Sequence, residues 1–259
     1  MSFLAMARQV FAGTGATMTI FFSTLIFSMP LGLLVAMGRM NSYSPFRRIA
    51  ETSPAAWLRG FKPLQLIIKF LISILRGTPL MLQLIVWFYG PYYLFGIRLN
   101  AAWRVTATIV GFSINYAAYF AEIFRAGIQS IPGGQREAAR VLGYNRVQTF
   151  CKIIFPQMCK QVLPPVTNEI ITLVKDTSLA FVLAYTEMFT LAKQVAAAET
   201  TIAPLFVAGV FYYVFNLVVA GIMGKVEKKL EYYQLRRHPH EIAGNQSLQK
   251  GLSRAGCAP

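Results

Sequence analysis

The sequence predicts an all-helical membrane protein, a bundle of about five transmembrane helices. Hydrophobic residues make up 55% of the 259 residues and charged residues only 14%, whereas soluble proteins contain about 25% charged residues. A helix that crosses a bilayer needs roughly 20 apolar residues. Three uncharged stretches reach that length: 9–38, 77–97 and 200–224. A fourth, 105–121, is borderline.

The net charge of +15 is unevenly distributed, and its distribution predicts the topology. Spans are expected near 15–38, 65–90, 103–124, 161–184 and 202–224. The segments on one side of these spans contain eighteen Lys and Arg, and those on the other side contain four. Cytoplasmic loops carry the positive excess, so the N-terminus is expected outside and the C-terminus in the cytoplasm. A nucleic-acid interface would need a basic face mixed with stacking aromatics, which the sequence lacks.

The first three spans follow from their own residues. Arg8 alone precedes the first apolar run and several arginines follow it, the reverse of a signal peptide, so an uncleaved span is expected. In the second span, Thr78 and Pro79 predict a kink in which Thr78 bonds freed backbone groups. Asn115 in the third span is a candidate for lining a cavity or for an interhelical hydrogen bond, and the second role is commoner.

The fourth span contains Glu169, Lys175 and Asp176, and it is predicted because a crossing is needed between two basic segments. Charges at membrane depth usually face a bundle interior, a cavity or one another. Glu169, Thr172 and Asp176 share one helix face, which places the two carboxylates about 10 Å apart. They could receive the ammonium group of an amino acid, while Asn168 and Lys175 on a neighbouring stripe could contact a carboxylate.

A structural role for these charges remains open. The acids Glu122, Glu169 and Asp176 and the cations Arg76 and Lys175 could instead pair with one another to hold the bundle together. For Arg76 and Lys175 the structural role is the favoured interpretation.

Residues 132–156 form a basic segment between two spans and predict two short helices. Pro132 ends the preceding helix, Gln135 to Leu142 are good helix formers, and Gly143 suits a left-handed cap. The second helix, from Asn145 or Arg146, is expected to stop before Pro156. Ala138 and Ala139 have short side chains and are expected to let another protein approach the helix closely. Arg136, Arg140 and Arg146 are expected to make polar contacts with that protein.

This segment resembles the cytoplasmic EAA loop of ABC-importer permeases. The resemblance rests on Glu137-Ala138-Ala139, Gly143, Ile153 and Pro156, with Phe155 where the family usually has leucine. Further blocks resemble polar amino-acid permeases of the His/Gln/Arg/cystine type, in the family's order and spacing. These blocks are Arg76 to Pro79, Glu122 to Arg125, Gly127 to Pro132, Asn168-Glu169 and Lys175 to Leu179.

The resemblance implies a type I ABC-importer permease domain over 1–231 and a polar cytoplasmic tail at 232–259, expected to be disordered. It implies ATPase coupling through Glu137, Ala138, Ala139, Gly143, Arg136 and Arg140. The substrate-pathway candidates are Glu169, Asp176, Thr172, Asn168, Thr78 and Asn115. The implied location is the bacterial inner membrane.

The implied partners are an ATPase dimer, a second permease copy or paralogue, and an extracytoplasmic amino-acid-binding protein. The chain contains no GxxxxGK[ST] loop, so ATP is expected to be bound and hydrolysed by the partner, and neither enzyme activity nor a cofactor is expected. His238 and His240 are a poor metal site without a third ligand. The alternatives are an ion-coupled secondary transporter that uses Glu169 and Asp176, and an intramembrane enzyme that uses these acids or Glu122.

Overall fold

The computed structural model describes residues 3–40, 63–96 and 98–235. The described part contains helices and no strand, which confirms the predicted all-helical class. Its helices are α1 Phe3–Phe11, α2 Thr14–Met40, α3 Pro63–Gly77, α4 Leu80–Phe95, α5 Ala101–Gln129, α6 Gly133–Val141, α7 Arg146–Thr149, α8 Phe155–Asp176, α9 Met188–Ala198 and α10 Ala203–Leu235. The predicted tail lies almost wholly outside the described residues.

Three helical stretches in the described ranges are long and apolar enough to cross a membrane: Phe3–Met40, Ala101–Gln129 and Ala203–Leu230. The pair α3 and α4 makes a fourth if it is counted as one broken span. Helix α8 does not qualify on hydropathy, because its membrane-length stretch contains Glu169, Lys175 and Asp176. Its assignment as a span therefore depends on topology, as the sequence predicted.

Helix α5 is the centre of the bundle and packs against α2, α3, α4 and α8. Two-thirds of its most apolar stretch is buried (67%). Against α2 the contact is close because Gly32 has no side chain: a Cβ there would lie 2.7 Å from Cβ of Phe120 and 3.1 Å from the carbonyl oxygen of Ala117. The rest of the fold is arranged around this pair of helices.

The second span, expected over 65–90 with a kink at Thr78 and Pro79, consists of two separate helices. Helices α3 and α4 meet at an angle of 110° across a break of two residues, Thr78 and Pro79. The predicted kink is confirmed, and it is sharper than a proline bend inside one helix. Proline has no backbone donor and clashes with the preceding turn, so the helix ends and a new one begins.

The predicted stop before Pro156 is wrong. After α7 the chain passes through one π-helical turn, Phe150–Ile154, and continues directly into α8. Pro156 is the second residue of α8 and directly follows the π-helical turn, so the helix continues through it. At its other end α8 tightens into a 3₁₀ helix, Thr177–Leu183.

Glu187 anchors the segment that connects this 3₁₀ helix to α10. Its carboxylate is fully buried and accepts hydrogen bonds from the backbone N–H of Phe189 (2.6 Å) and the hydroxyl of Tyr212 (3.0 Å). Burial raises the pKa of the Glu187 carboxyl, whereas these hydrogen bonds to the carboxylate lower its pKa. The adjacent Met188 N–H donates to Thr17 (3.3 Å), so the segment joins α2, α9 and α10.

Candidate functional site

A cavity of about 400 Å³ lies between α5 and α8. Along α5 it extends from Tyr119 to Ser130, and along α8 from Glu169 to Gln161. Its remaining lining residues are Arg76, Glu122, Ile123, Ala126, Gly127, Val162 and Pro165. Gly127 is where the two helices approach each other, because a Cβ at this position would collide with Val162. The cavity thus runs from the middle of the bundle toward the end of α5 that leads into α6.

Glu169 is the only one of the six predicted pathway residues that lines this cavity. Asp176 lies farther along α8, where it accepts a hydrogen bond from the Tyr116 hydroxyl at 2.8 Å. Asn168 and Thr172 are exposed on α8 and do not line this cavity. The cavity therefore contains one of the two carboxylates that the sequence grouped together.

Asn115 is buried, with 3% of its surface exposed. Its amide donates to the carbonyl of Leu75 (3.2 Å) and to the side chain of Gln83 (3.0 Å). The prediction that Asn115 lines the pathway is wrong for this structure, and the interhelical hydrogen bond named as the commoner role is confirmed. Burial of this side chain follows from the packing of α3 and α4 on α5, which no local pattern reports.

Thr78 forms hydrogen bonds at the break between α3 and α4. Its hydroxyl donates to the carbonyl of Ile74 (2.8 Å) and accepts from Gln83 (2.7 Å). Gln83 further donates to the carbonyl of Leu75 at 2.8 Å. The sequence reasoning predicted the bond made by Thr78 and missed Gln83, although a glutamine in an apolar helix was a signal.

Glu122 forms ion pairs with Arg39 of α2 and Arg125 of α5. The sequence favours a structural role for Arg76, and that interpretation stays a prediction. The Arg76 side chain is exposed and lines the cavity, with its guanidinium carbon 5.2 Å from the centre of the Tyr119 ring. In the described ranges no carboxylate is in ion-pair contact with it.

The predicted coupling segment folds as α6, a turn and α7. Gly143 has φ +74°, so the predicted left-handed cap is confirmed. Asn145 begins α7 with a capping box that includes Gln148. Glu137 and Ala138 are exposed, but Ala139 is fully buried. The expectation that Ala139 contributes to an open surface is therefore wrong, because this residue faces the rest of the chain.

The coupling segment also exposes apolar side chains that the sequence reasoning did not single out. Val141 is 88% exposed, Leu142 71% and Val147 71%. Arg136 donates to the carbonyl of Ile128 at 3.1 Å and so ties α6 to the end of α5, while Arg140 is exposed. The signal for an apolar surface was present in the sequence as Val141-Leu142 within an otherwise polar stretch.

The described helices form a membrane-type bundle, with a cavity between α5 and α8 that contains Arg76, Glu122 and Glu169 and a helical loop after α5. Residues 52–232 match the family of binding-protein-dependent transport system inner membrane components. The chain belongs to this family, which places it among inner membrane permeases and confirms the predicted resemblance.

Similar proteins include the arginine transport system permease protein ArtQ of Bacillus subtilis (strain 168), which is 33% identical over 86% of this chain and 92% of its own length. The octopine transport system permease protein OccM of Rhizobium radiobacter is 33% identical over 78% of this chain and 79% of its own. Among solved structures, a crystal structure of an amino acid ABC transporter with histidines has a TM-score of 0.72 at 27% identity, covering 88% of this chain and 99% of that one.

Proposed function

We propose that this chain is the permease subunit of an ATP-driven importer of polar amino acids. The observation that carries the proposal is the cavity between α5 and α8, which holds Arg76 and Glu169 within a membrane bundle of this family. An amino acid is a zwitterion, and a site with both signs of charge suits it. Relatives that are named as arginine, octopine and cystine permeases support this class of cargo.

A separate ATPase supplies the energy in this proposal, and it docks on α6 and α7. A protein interface has apolar residues at its core and polar residues at its rim. The coupling segment offers both kinds on its surface: apolar Val141 and Leu142, and charged Glu137 and Arg140. Gly143 fixes the turn between the two helices. This side is cytoplasmic and the N-terminus lies outside, as the positive-inside asymmetry indicates.

The working unit is a dimer of permeases with two ATPases and an extracytoplasmic binding protein. ATP and the loaded binding protein favour the outward-open arrangement, and hydrolysis restores the inward one, which is a shift between two populations. An ion-coupled secondary transporter remains the alternative mechanism, but the curated relatives give it no support.

Glu137→Ala and Gly143→Val test the docking assignment. Valine at φ +74° costs roughly 1–2 kcal/mol at that residue, and Glu137→Ala removes a charge from the interface. Both variants should insert normally and lose most ATP-driven amino-acid uptake and co-purified ATPase. Gln194→Ala, exposed on α9, serves as the control and should behave as wild type. Normal uptake by both Glu137 and Gly143 variants would refute the assignment.

A further inference from the structure

Arg76 is the last residue but one of α3, and its side chain enters the cavity from the break between α3 and α4. The guanidinium lies over the ring of Tyr119, 5.2 Å from the ring centre. An arginine that stacks on an aromatic face keeps its N–H groups directed outward in the plane of the guanidinium, where they can bind a planar anion through two parallel hydrogen bonds. Tyr119 thus orients the group without using its donors.

The cavity offers Arg76 no carboxylate at ion-pair distance within the described residues. Glu122 lines the same cavity, but Arg39 and Arg125 already hold its two oxygens. Glu169 lines it from α8 without ion-pair contact to Arg76. A guanidinium at membrane depth is costly unless it pairs, and here a cation and an anion line the same cavity without ion-pair contact between them.

We propose that Arg76 binds the α-carboxylate of the transported amino acid. This inference rests on the proposed function and adds the residue that recognises what all amino acids share. Glu169, on the opposite wall, then faces the ammonium end of the same molecule. In this arrangement Arg76 and Glu169 recognise the α-carboxylate and α-ammonium groups that all amino acids share. Other residues then recognise the side chain of the transported amino acid.

The competing role for Arg76 is structural, because a cation near a helix C-terminus stabilises the helix dipole. Lys69 provides a control for the loss of a positive charge from α3. It lies seven residues earlier on the same face of α3, is exposed, and does not line the cavity. A charge change at Lys69 therefore removes a cation from this face without touching the site or the last turn of the helix.

The test compares each amino acid with the same molecule after removal of its α-carboxylate. The purified complex of permease and ATPase, without binding protein, is titrated with L-arginine and agmatine, and with L-glutamine and 4-aminobutanamide. Wild type should bind the amino acid of each pair at least about tenfold more tightly, since a bidentate charge-assisted contact is lost in the amine. Arg76→Gln should reduce that ratio to within about twofold, Arg76→Lys should give an intermediate ratio, and Lys69→Gln should keep the wild-type ratio.

An unchanged ratio in Arg76→Gln would overturn the proposal, and so would an equal loss in Lys69→Gln. If Arg76→Gln does not assemble, Arg76→Lys decides the matter: a reduced ratio supports the proposal and an unchanged one refutes it. Wild-type complex that binds none of the four probes would instead refute polar amino acids as the cargo. The two failures are therefore distinguishable.

Discussion

Gly32 allows α2 to lie against α5 at a distance that excludes any side chain. Besides Phe120 and Ala117, the backbone nitrogen of Ala121 would lie 3.2 Å from an added Cβ. Two of these three neighbours are backbone atoms of a buried helix, which cannot rotate away as a side chain would. The bundle must therefore shift to admit even one methyl group.

Gly32→Ala should lower the stability of the bundle by about 1–3 kcal/mol, the usual cost of overpacking a core. This loss should exceed the gain in helix propensity from Gly to Ala, which is about 1 kcal/mol. Thermal unfolding of the purified protein in detergent measures the effect. Gly15→Ala is the control, because Gly15 is also in α2 and an added Cβ meets nothing within 4 Å. A Gly32 variant as stable as the Gly15 variant would contradict the prediction.

The sequence predicted those features of a residue that depend on its neighbours along the chain. It did not predict those that depend on tertiary packing. Gly143 was predicted as a left-handed cap because a chain reversal between two helices demands one, and Thr78 because its hydroxyl reaches its own preceding turn. The burial of Ala139 was not predicted, and the two roles of Asn115 were left open, because burial depends on which helices pack beside a residue. Burial of that kind cannot be read from one segment.

At the scale of elements, the break between α3 and α4 depends on hydrogen bonds from outside the break. The carbonyl of Leu75 accepts from both Gln83 of α4 and Asn115 of α5. These two side chains also bond each other at 3.0 Å. Three helices are thus joined by one small polar network in an apolar surrounding, where an unpaired carbonyl would be costly.

Gln83→Leu and Asn115→Leu should each destabilise the bundle by about 1–3 kcal/mol, since each leaves a buried polar group without its partner. The double variant should lose less than the sum, because the two residues share a hydrogen bond and an acceptor. Thermal unfolding of the four proteins forms the cycle, with Gln194→Leu, an exposed glutamine on α9, as the control for the chemical change. Strict additivity would show that no shared network exists.

Helices are present at the five expected spans in the predicted order, but their bounds differ, and the separate helices α1 and α9 were not predicted. The spans were located from the length of the apolar stretches and from the distribution of arginine and lysine between the loops. Both are properties of long segments of sequence. The bend of 110° after Gly77 and the passage through Pro156 depend on small differences in local backbone geometry. In each case proline marked the place without determining whether the helix would stop or continue.

At the scale of the whole molecule, α8 presents a polar face that nothing in the described chain covers. The exposed residues on this face recur at helical spacing, and they are Asn168, Thr172 and Lys175. Lipid is a poor solvent for an amide and an ammonium group at membrane depth. The face must therefore meet a second protein subunit or a water-filled pathway, and the proposed dimer provides both.

A cysteine at Thr172 tests that arrangement. In a variant whose native Cys151, Cys159 and Cys257 are replaced by serine, Thr172→Cys should be cross-linked in native membranes by a short bismaleimide if the proposed dimer sets two α8 helices across one pathway. A product of about twice the 28.9 kDa of this chain indicates two copies. A related partner would be cross-linked only if a cysteine is also introduced at its own facing position, and the product's mass would then be a different sum.

The control is Ile26→Cys in the same background. Ile26 is 64% exposed on α2 and apolar, as a lipid-facing residue should be, so its cysteine should give no cross-linked product. Cross-linking at Ile26 but not at Thr172 would mean that α8 does not face the second subunit. The polar face of α8 would then need a different cover, and the cavity between α5 and α8 would serve one chain alone. Cross-linking at Thr172 alone would place Glu169, three residues earlier on the same helix, beside a pathway shared by two subunits.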